Sequence, residues 1–417
     1  MSVTRRPIDA DEFEAFARAD AVAFGFTMTA SDREAEKTAL EFDRTLAAFD
    51  GAAVVGTTAT LTLDLTLPGG AVLPAGGLTW TSVLPTHRRR GVLTGLIRGQ
   101  LDLSREREEP LSILQASEAT IYGRFGYGAA THELGFALAS DASQFRPEVG
   151  GLLGGDLQVV DGAQAKAILS DTFDRLRGDI PGSVGRSERL WNSYLLDPDH
   201  HRDGASSMFH VTHRDPQGVI DGYVSYRVKA DWSGGIPGGS LIMKELIASG
   251  PAAHAALWRY CLDMDLIAHV EAECAPEDEP LRWLLASPRH MRFRHLNDGL
   301  WLRILDIPTA LSHRSYALTT PGTAPDALVL EVDDPFYGRV GDRYLLEAGP
   351  EGATCSFTAR SADLSLDVAE LGALYLGAVD FGALVRARRV RELTPGAAAR
   401  ADVLFRTDRA PWCSTHF

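Results

Sequence analysis

The sequence predicts an α+β fold assembled from three parts, and three observations carry that reading. A strand, turn, helix, strand order occurs twice, over residues 78–116 and again over 241–272; a Pro/Gly/Asp-rich stretch, Asp141 to Gly155, lies between the copies; and after Leu300 short strands and helices follow in a different order. At about 150 residues per domain, a chain of 417 residues is long for one core. The expected parts are residues 1–142, 143–299 and 300–417.

Taken in order, Phe13, Phe16, Ala17, Ala21 and Phe24 fall on one face of a helix that stops near Gly25, and a second helix is expected around Ser31 to Lys37. Their acidic residues are read as solvated. Leu61, Leu63, Leu65 and Leu67 alternate with Thr60, Thr62, Asp64 and Thr66, the period-two pattern of a half-buried strand. Pro68-Gly69-Gly70 turns this strand back into Ala71 to Leu84. Pro85 ends the run, and Val92, Leu93, Leu96, Ile97 and Leu101 recur behind it at helical spacing. A strand over Leu111 to Ala116 leads through Ser117-Glu118 to a helical turn ending at Tyr122, and Thr131 to Leu138 is read as the strand closing the first part. The second part offers helices around 165–176 and 190–195, a hairpin turning at Asp215-Pro216-Gln217-Gly218, and a strand, helix, strand run over 241–272. The third begins with a strand at Trp301 to Leu305 and continues with a helix over 308–316, strands over 327–332, 343–347 and 354–359, and helices over 368–375 and 397–405.

The stretch with chemical content is Val83-Leu84-Pro85-Thr86-His87-Arg88-Arg89-Arg90-Gly91, between the apolar strand and the helix. The first N–H groups of a helix have no intrahelical partner and sit at the positive end of its dipole, so such a turn binds a diphosphate. Arg88, Arg89 and Arg90 add charge, and Gly91 lets backbone approach the oxygens. With Ile121-Tyr122-Gly123-Arg124-Phe125-Gly126-Tyr127-Gly128, the chain length and a terminal Phe417, the stretch resembles the Eis (enhanced intracellular survival) aminoglycoside N-acetyltransferases of the GNAT superfamily. One departure is Leu93, where GNAT motifs often carry Gly or Ala. The resemblance implies two GNAT-like domains in tandem followed by a sterol carrier protein-like domain that serves as scaffold and delivers the chain terminus. It also implies acetyl-CoA as co-substrate in the first domain, held by Thr81, Ser82, Val83, Arg88, Arg89, Arg90, Gly91, Val92, Leu93, Thr94, Ser117 and Glu118. The second copy turns at Ser249-Gly250-Pro251 without an arginine, and no CoA site is expected there.

Acetyl transfer to an amine needs a neutral nucleophile, a polarised carbonyl and a proton for the leaving thiolate. In the GNAT pattern a backbone N–H of the motif strand polarises the carbonyl, here at Val83. Tyr122 can donate to a thiolate or simply pack in the core; the resemblance assigns it the acid role, with Tyr127 as the alternative. Chain ends usually fray, but Pro411-Trp412-Cys413 reads as a docked tail, and the resemblance gives the Phe417 α-carboxylate the task of accepting the proton of the incoming ammonium, by holding and orienting the amine or by acting through water. A carboxyl of pKa roughly 3.5 is a weak base for it. His416 replaces an acidic residue of the mycobacterial enzymes, which puts aminoglycosides in question and admits other amines. Phe24, Phe26 and Trp80 are candidate pocket walls, or core.

Composition bounds the alternatives. A net charge of −15 argues against nucleic acid and suits a cationic substrate. Cys261, Cys274, Cys355 and Cys413 are scattered, neither a disulfide framework nor a zinc motif. His200-His201 lack a third ligand, and His210 and His213 fall on opposite faces of a strand, so no metal is expected. No signal peptide or membrane span is legible, which makes a cytoplasmic enzyme the default, without a membrane partner. The resemblance adds a homohexamer. The rival readings are a protein lysine acetyltransferase at the same site and a non-catalytic lipid-binding or interaction protein.

Overall fold

The computed structural model describes residues 3–317 and 326–417. It divides into two compact units, one of Met1–Thr131, Pro181–Ser193 and Asp298–Phe417, the other of His132–Ile180 and Tyr194–Asn297.

In the first unit, β1 (Thr4–Arg6), β2 (Ala47–Asp50), β3 (Ala53–Thr66), β4 (Val72–Val83) and β5 (Leu111–Gln115) lie side by side in chain order. The strand Leu300–Ile304 follows β5, and the two-residue β6 (Gly128–Ala129) closes the sheet. Neighbours are antiparallel except β4 and β5, which run parallel because a helix crosses between them. α1 (Phe13–Phe24) buries Phe13, Phe16 and Ala17 and ends at Gly25, whose left-handed backbone (φ 77°) caps Ala21. α2 (Ala30–Ala39) opens on a capping box between Thr29 and Asp32. α3 (Val92–Glu106) buries Val92, Leu96, Ile97 and Leu101, and α4 is the single turn Ala119–Tyr122.

Several expectations are corrected. The alternation in β3 holds at Thr62, which is exposed, and at the half-buried Asp64, but Thr60 and Thr66 of the same polar side are buried, as are Thr57 and Thr58 before them. They tolerate this because partners exist inside, Thr60 donating to Gln100 Oε1 at 3.0 Å, while the amide of Gln100 donates to the Arg44 carbonyl. The helical acids are not all solvated, since Asp20 lies within the buried face of α1. The strand His132–Ala139 does not close the first sheet; it pairs with Ile267–Ala275 in the second unit. Its expected place is taken by Leu300–Ile304, which pairs with β5 from Leu300↔Gln115 to Ile304↔Leu111. Period-two patterning says which face a strand buries and nothing of its partner. The exchange is pinned where Thr131 Oγ1 accepts from the Leu300 N–H at 2.8 Å.

A five-stranded sheet completes the first unit, in the order Gly352–Phe357, Arg339–Gly349, Asp326–Asp334, Leu364–Asp367 and Val390–Glu392. The helix Val368–Tyr375, buried along its whole length, packs on Leu300–Ile304 and β6. The second unit is a seven-stranded sheet in which Gly239–Ala248 runs parallel to Ile267–Ala275 across the helix Pro251–Leu262. Two seven-stranded sheets, each with one parallel pair across a helix, and a separate five-stranded C-terminal sheet make up the α+β class that the sequence predicts.

Candidate active site

The centre of the first sheet is a gap. β4 and β5 pair from Ala75↔Leu111 to Gly77↔Ile113 and then part, although β4 continues to Val83 and β5 to Gln115. Each tip is held from its outer side, β4 by β3 and β5 by Leu300–Ile304. Their facing edges are thus left for an extended ligand to complete. The opening starts at a bulge, where the register of β4 against β3 slips between Ala59↔Thr79 and Thr57↔Ser82. Trp80 sits on that bulge with a left-handed backbone (φ 53°), conformational strain that a β-branched or bulky residue rarely carries without a use.

The chain then enters α3 through the turn Pro85–His87. Arg89 and Gly91 both take left-handed conformations (φ 61° and 75°), Gly91 is the N-cap, and the space a Cβ on it would fill is open. No side chain caps α3, so its first N–H groups point into that space. Arg89, Arg90 and Thr94 are exposed, and Val92 and Leu93 are turned toward the core. Among the described residues neither Arg89 nor Arg90 makes a hydrogen bond or ion pair, whereas Arg88 donates to the Ala23 carbonyl at the end of α1 (3.3 Å). Sequence reasoning missed a further cation: the Arg5 guanidinium lies where a Cβ on Gly95 would sit, in the second turn of α3. Four arginines around an uncapped helix start fit the diphosphate of a CoA thioester.

Across the gap, Ser117 and Glu118 follow β5 and are exposed. Tyr122 is 6% exposed among Leu78, Ile97, Leu114 and Tyr127. Burial, with the charges of Glu118 and Asp20 behind it, pushes its phenol up to about 12, so it stays protonated at working pH and is available as a donor. No protein group hydrogen-bonds its hydroxyl among the described residues. Tyr127 differs: fully buried, its hydroxyl is already engaged by Ser112 at 2.7 Å.

The chain end arrives from the other side. Trp412 to Thr415 are buried, with the Trp412 N–H on the Pro181 carbonyl (2.8 Å) and Thr415 Oγ1 on that of Val184 (2.9 Å). Arg186 clamps the tail through Thr415 Oγ1 (3.0 Å) and the Ser414 carbonyl (2.9 Å). Gln115, the last residue of β5, meets the His416 ring (2.9 Å) and accepts from the Phe417 N–H (3.4 Å). The Phe417 ring lies 3.1 Å from where a Cβ on Gly77 would be, at the residue where the strands separate. Of the candidate walls, Trp80 packs edge-on against Phe13 (6.0 Å between centroids) and against Phe16 (5.6 Å). Phe24 and Phe26 are half-exposed at the end of α1.

Three domain models match the chain: an acetyltransferase (GNAT) domain over residues 4–130, a second acetyltransferase (GNAT) domain over 182–304, and a sterol carrier protein domain over 307–414. The N-acetyltransferase Eis of Mycobacterium tuberculosis is 34% identical over 363 residues, covering 86% of this chain and 84% of that one. The chain belongs to the Eis family of GNAT N-acetyltransferases. An uncharacterized N-acetyltransferase of Streptomyces avermitilis is 41% identical over 395 residues, 94% of this chain and 93% of its own. The crystal structure of Eis1 from Mycobacterium abscessus superposes with a TM-score of 0.86 at 31% identity, over 99% of this chain and 100% of the other. This Eis-family acetyltransferase has no helix among the described residues long and apolar enough to cross a membrane.

Sequence reasoning also missed Gln115, Arg186 and Asp20. Asp20 had a visible signal: it stands four residues after Phe16 and seven after Phe13, so a carboxylate interrupts the apolar stripe of α1.

Proposed function

We propose that this Eis-family enzyme transfers the acetyl group of acetyl-CoA directly to a primary amine of an aminoglycoside or a similar small polyamine. The observation that carries the reading is the arrival of the chain terminus at the point where β4 and β5 part. When bound, acetyl-CoA supplies an activated acetyl carbon. Arg89, Arg90, Arg5 and the first amides of α3 hold its diphosphate, with Thr81 to Val83 and Ser117-Glu118 along the arm. The Val83 N–H polarises the carbonyl, Tyr122 protonates the departing sulfur, and the Phe417 carboxylate with the neighbouring Gln115 orients the amine. The helix start at Gly250-Pro251 has no arginine, and the second GNAT unit is assigned no CoA site. The net charge of −15 favours a cationic acceptor. A lysine side chain on a protein is the second reading, favoured by His416 standing exposed beside the terminus.

The test is release of CoA thiol from acetyl-CoA against aminoglycosides, diamines and lysine peptides, using full-length protein with an untagged C-terminus. Turnover with small polyamines is expected. Turnover confined to lysine peptides would transfer the assignment to protein acetylation, and no acetylation of any amine would end it.

A further inference from the structure

The loop that carries Tyr122 is held from the C-terminal sheet. After Tyr122 the chain makes a second short turn, Gly123–Phe125, and reverses at Gly126 (φ 81°) before β6. The Tyr127 N–H returns to the Tyr122 carbonyl at 3.3 Å and the two rings meet edge-on at 6.1 Å, which ties Tyr122 to this loop. The Phe125 carbonyl accepts from Nη1 of Arg303, a fully buried side chain of the strand Leu300–Ile304. Nη2 of the same guanidinium donates to Asp334 Oδ2 at 2.5 Å, at the end of the strand Asp326–Asp334. Gly126 makes room for the arrangement, since a Cβ there would fall on Arg303 Nη1. The pair is costly: Arg303 Nε and Asp334 Oδ1 are buried and have no hydrogen-bond partner among the described residues. Apolar side chains of similar volume would be as stable. What they cannot supply is a fork that joins a carboxylate to the Phe125 carbonyl.

Beyond Asp334 comes the turn Pro335–Tyr337, and both its rings face α3 or Phe125. Phe336 stands edge-on to Phe125, 5.3 Å between centroids. Its carbonyl accepts from Arg98 Nη2 at 2.6 Å, and the Arg98 guanidinium lies 4.4 Å from the Phe336 ring and 4.9 Å from that of Tyr337. Tyr337 Oη donates to Asp102 Oδ1 at 2.6 Å, with Arg105 3.8 Å over its ring. Arg98, Asp102 and Arg105 share one face of α3. A single turn therefore grips both the helix whose first amides face the diphosphate and the loop that bears the phenol.

We propose that Arg303 and the segment Asp334 to Tyr337 are a positioning brace that sets the Tyr122 hydroxyl against the sulfur of a thioester held by α3, an inference that rests on the acetyl-transfer reading with Tyr122 as the acid. None of these side chains is placed at the reacting atoms, so their effect passes through Tyr122. Proton donation needs hydrogen-bond reach, and a misplacement of about 1 Å costs on the order of 100-fold in rate. The C-terminal sheet thus serves the chemistry a second time, besides delivering Phe417.

The experiment is a double-mutant cycle. Arg303→Met combined with Asp334→Leu, which leaves no charge stranded, and separately Phe336→Leu, are made in the wild type and in Tyr122→Phe, with kcat measured on whichever amine the wild type acetylates and acetyl-CoA affinity by calorimetry. A wild type inactive on every amine, or a Tyr122→Phe enzyme as fast as wild type, defeats the reading underneath and the inference with it; the remaining outcomes concern the brace alone. In the wild-type background the paired replacement should cost on the order of 100-fold in kcat, and Phe336→Leu roughly threefold to tenfold, the worth of one aromatic pair, with acetyl-CoA affinity nearly unchanged. In the Tyr122→Phe background both should cost almost nothing further, because the group they place is gone. Should the paired replacement fail to fold, Phe336→Leu decides. Losses of the same factor in both backgrounds would make the contacts merely structural, and a loss of acetyl-CoA affinity in place of kcat, or no loss at all, would equally overturn the proposal.

Discussion

Replacing Asp20 by Asn should make the protein more stable at neutral pH. The carboxyl ordinarily titrates at 3.8 and is held at about 6 in the fold, chiefly by burial. Because the folded-state value is raised, the native state is undisturbed below the unfolded value and loses stability as pH rises through the folded one. At about 1.36 kcal/mol per unit, the shift of roughly two units amounts to about 3 kcal/mol above pH 7, falling to about 1.5 kcal/mol at pH 5 and about 0.5 kcal/mol at pH 4. Asn keeps the acceptor for Thr57 and removes the charge. The assay is the melting temperature of variant and wild type side by side from pH 4 to 8, since unfolding of a chain with two compact units is not a single two-state event. A few degrees of gain are expected at pH 8, given roughly 2–4 °C per kcal/mol for domains of 150–250 residues and a smaller coefficient for a larger unit. The gain should close toward pH 4. A variant no more stable than wild type at pH 8, or one whose gain does not depend on pH, would refute the view that Asp20 is ionised and uncompensated in the resting enzyme.

Four further outcomes follow from the same geometry. Tyr122→Phe should keep acetyl-CoA affinity and lose on the order of 100-fold in kcat by pre-steady-state thiol release; an unchanged rate would return Tyr122 to the core. A few residues added after Phe417 should abolish turnover while leaving acetyl-CoA binding by calorimetry nearly intact, and full activity in the extended protein would remove the terminus from the site. Gly77→Val should act in the same direction, because a Cβ there meets Leu63 at 2.3 Å and the Phe417 ring at 3.1 Å; the check is kcat together with proteolytic release of the tail. Arg89→Ala and Arg90→Ala should each weaken acetyl-CoA by roughly tenfold, as expected for a charge-assisted hydrogen bond, with the loss growing milder at high salt.

Much of this is legible in the sequence itself. The turn into α3, the tyrosine after β5 and the docked tail each announce themselves through local chemistry: a proline and glycine around three arginines, a short glycine-flanked turn, an aromatic run at a chain end. Arg5 and Gln115 carry no such mark. Each is an ordinary polar residue that matters only because another strand brings it to α3 or to the tail. Asp20 lies between these cases, visible as a break in the apolar stripe of α1 but without a partner to interpret it until Thr57 and Ser82 appear beside it.

By itself, then, the order of residues determined the elements, the α+β class and the arginine-rich turn into α3, because helix ends, turns and burial periodicity are set by contacts a few residues apart. Which strand lies next to which was decided only in three dimensions. His132–Ala139 would read equally well in either sheet, and it is the Leu300–Ile304 strand, nearly two hundred residues after β5, that holds the tip of β5 aside and keeps the gap open. Strand edges hydrogen-bond through backbone that every sequence shares, so the pairing that makes the site is chosen by how the whole chain packs.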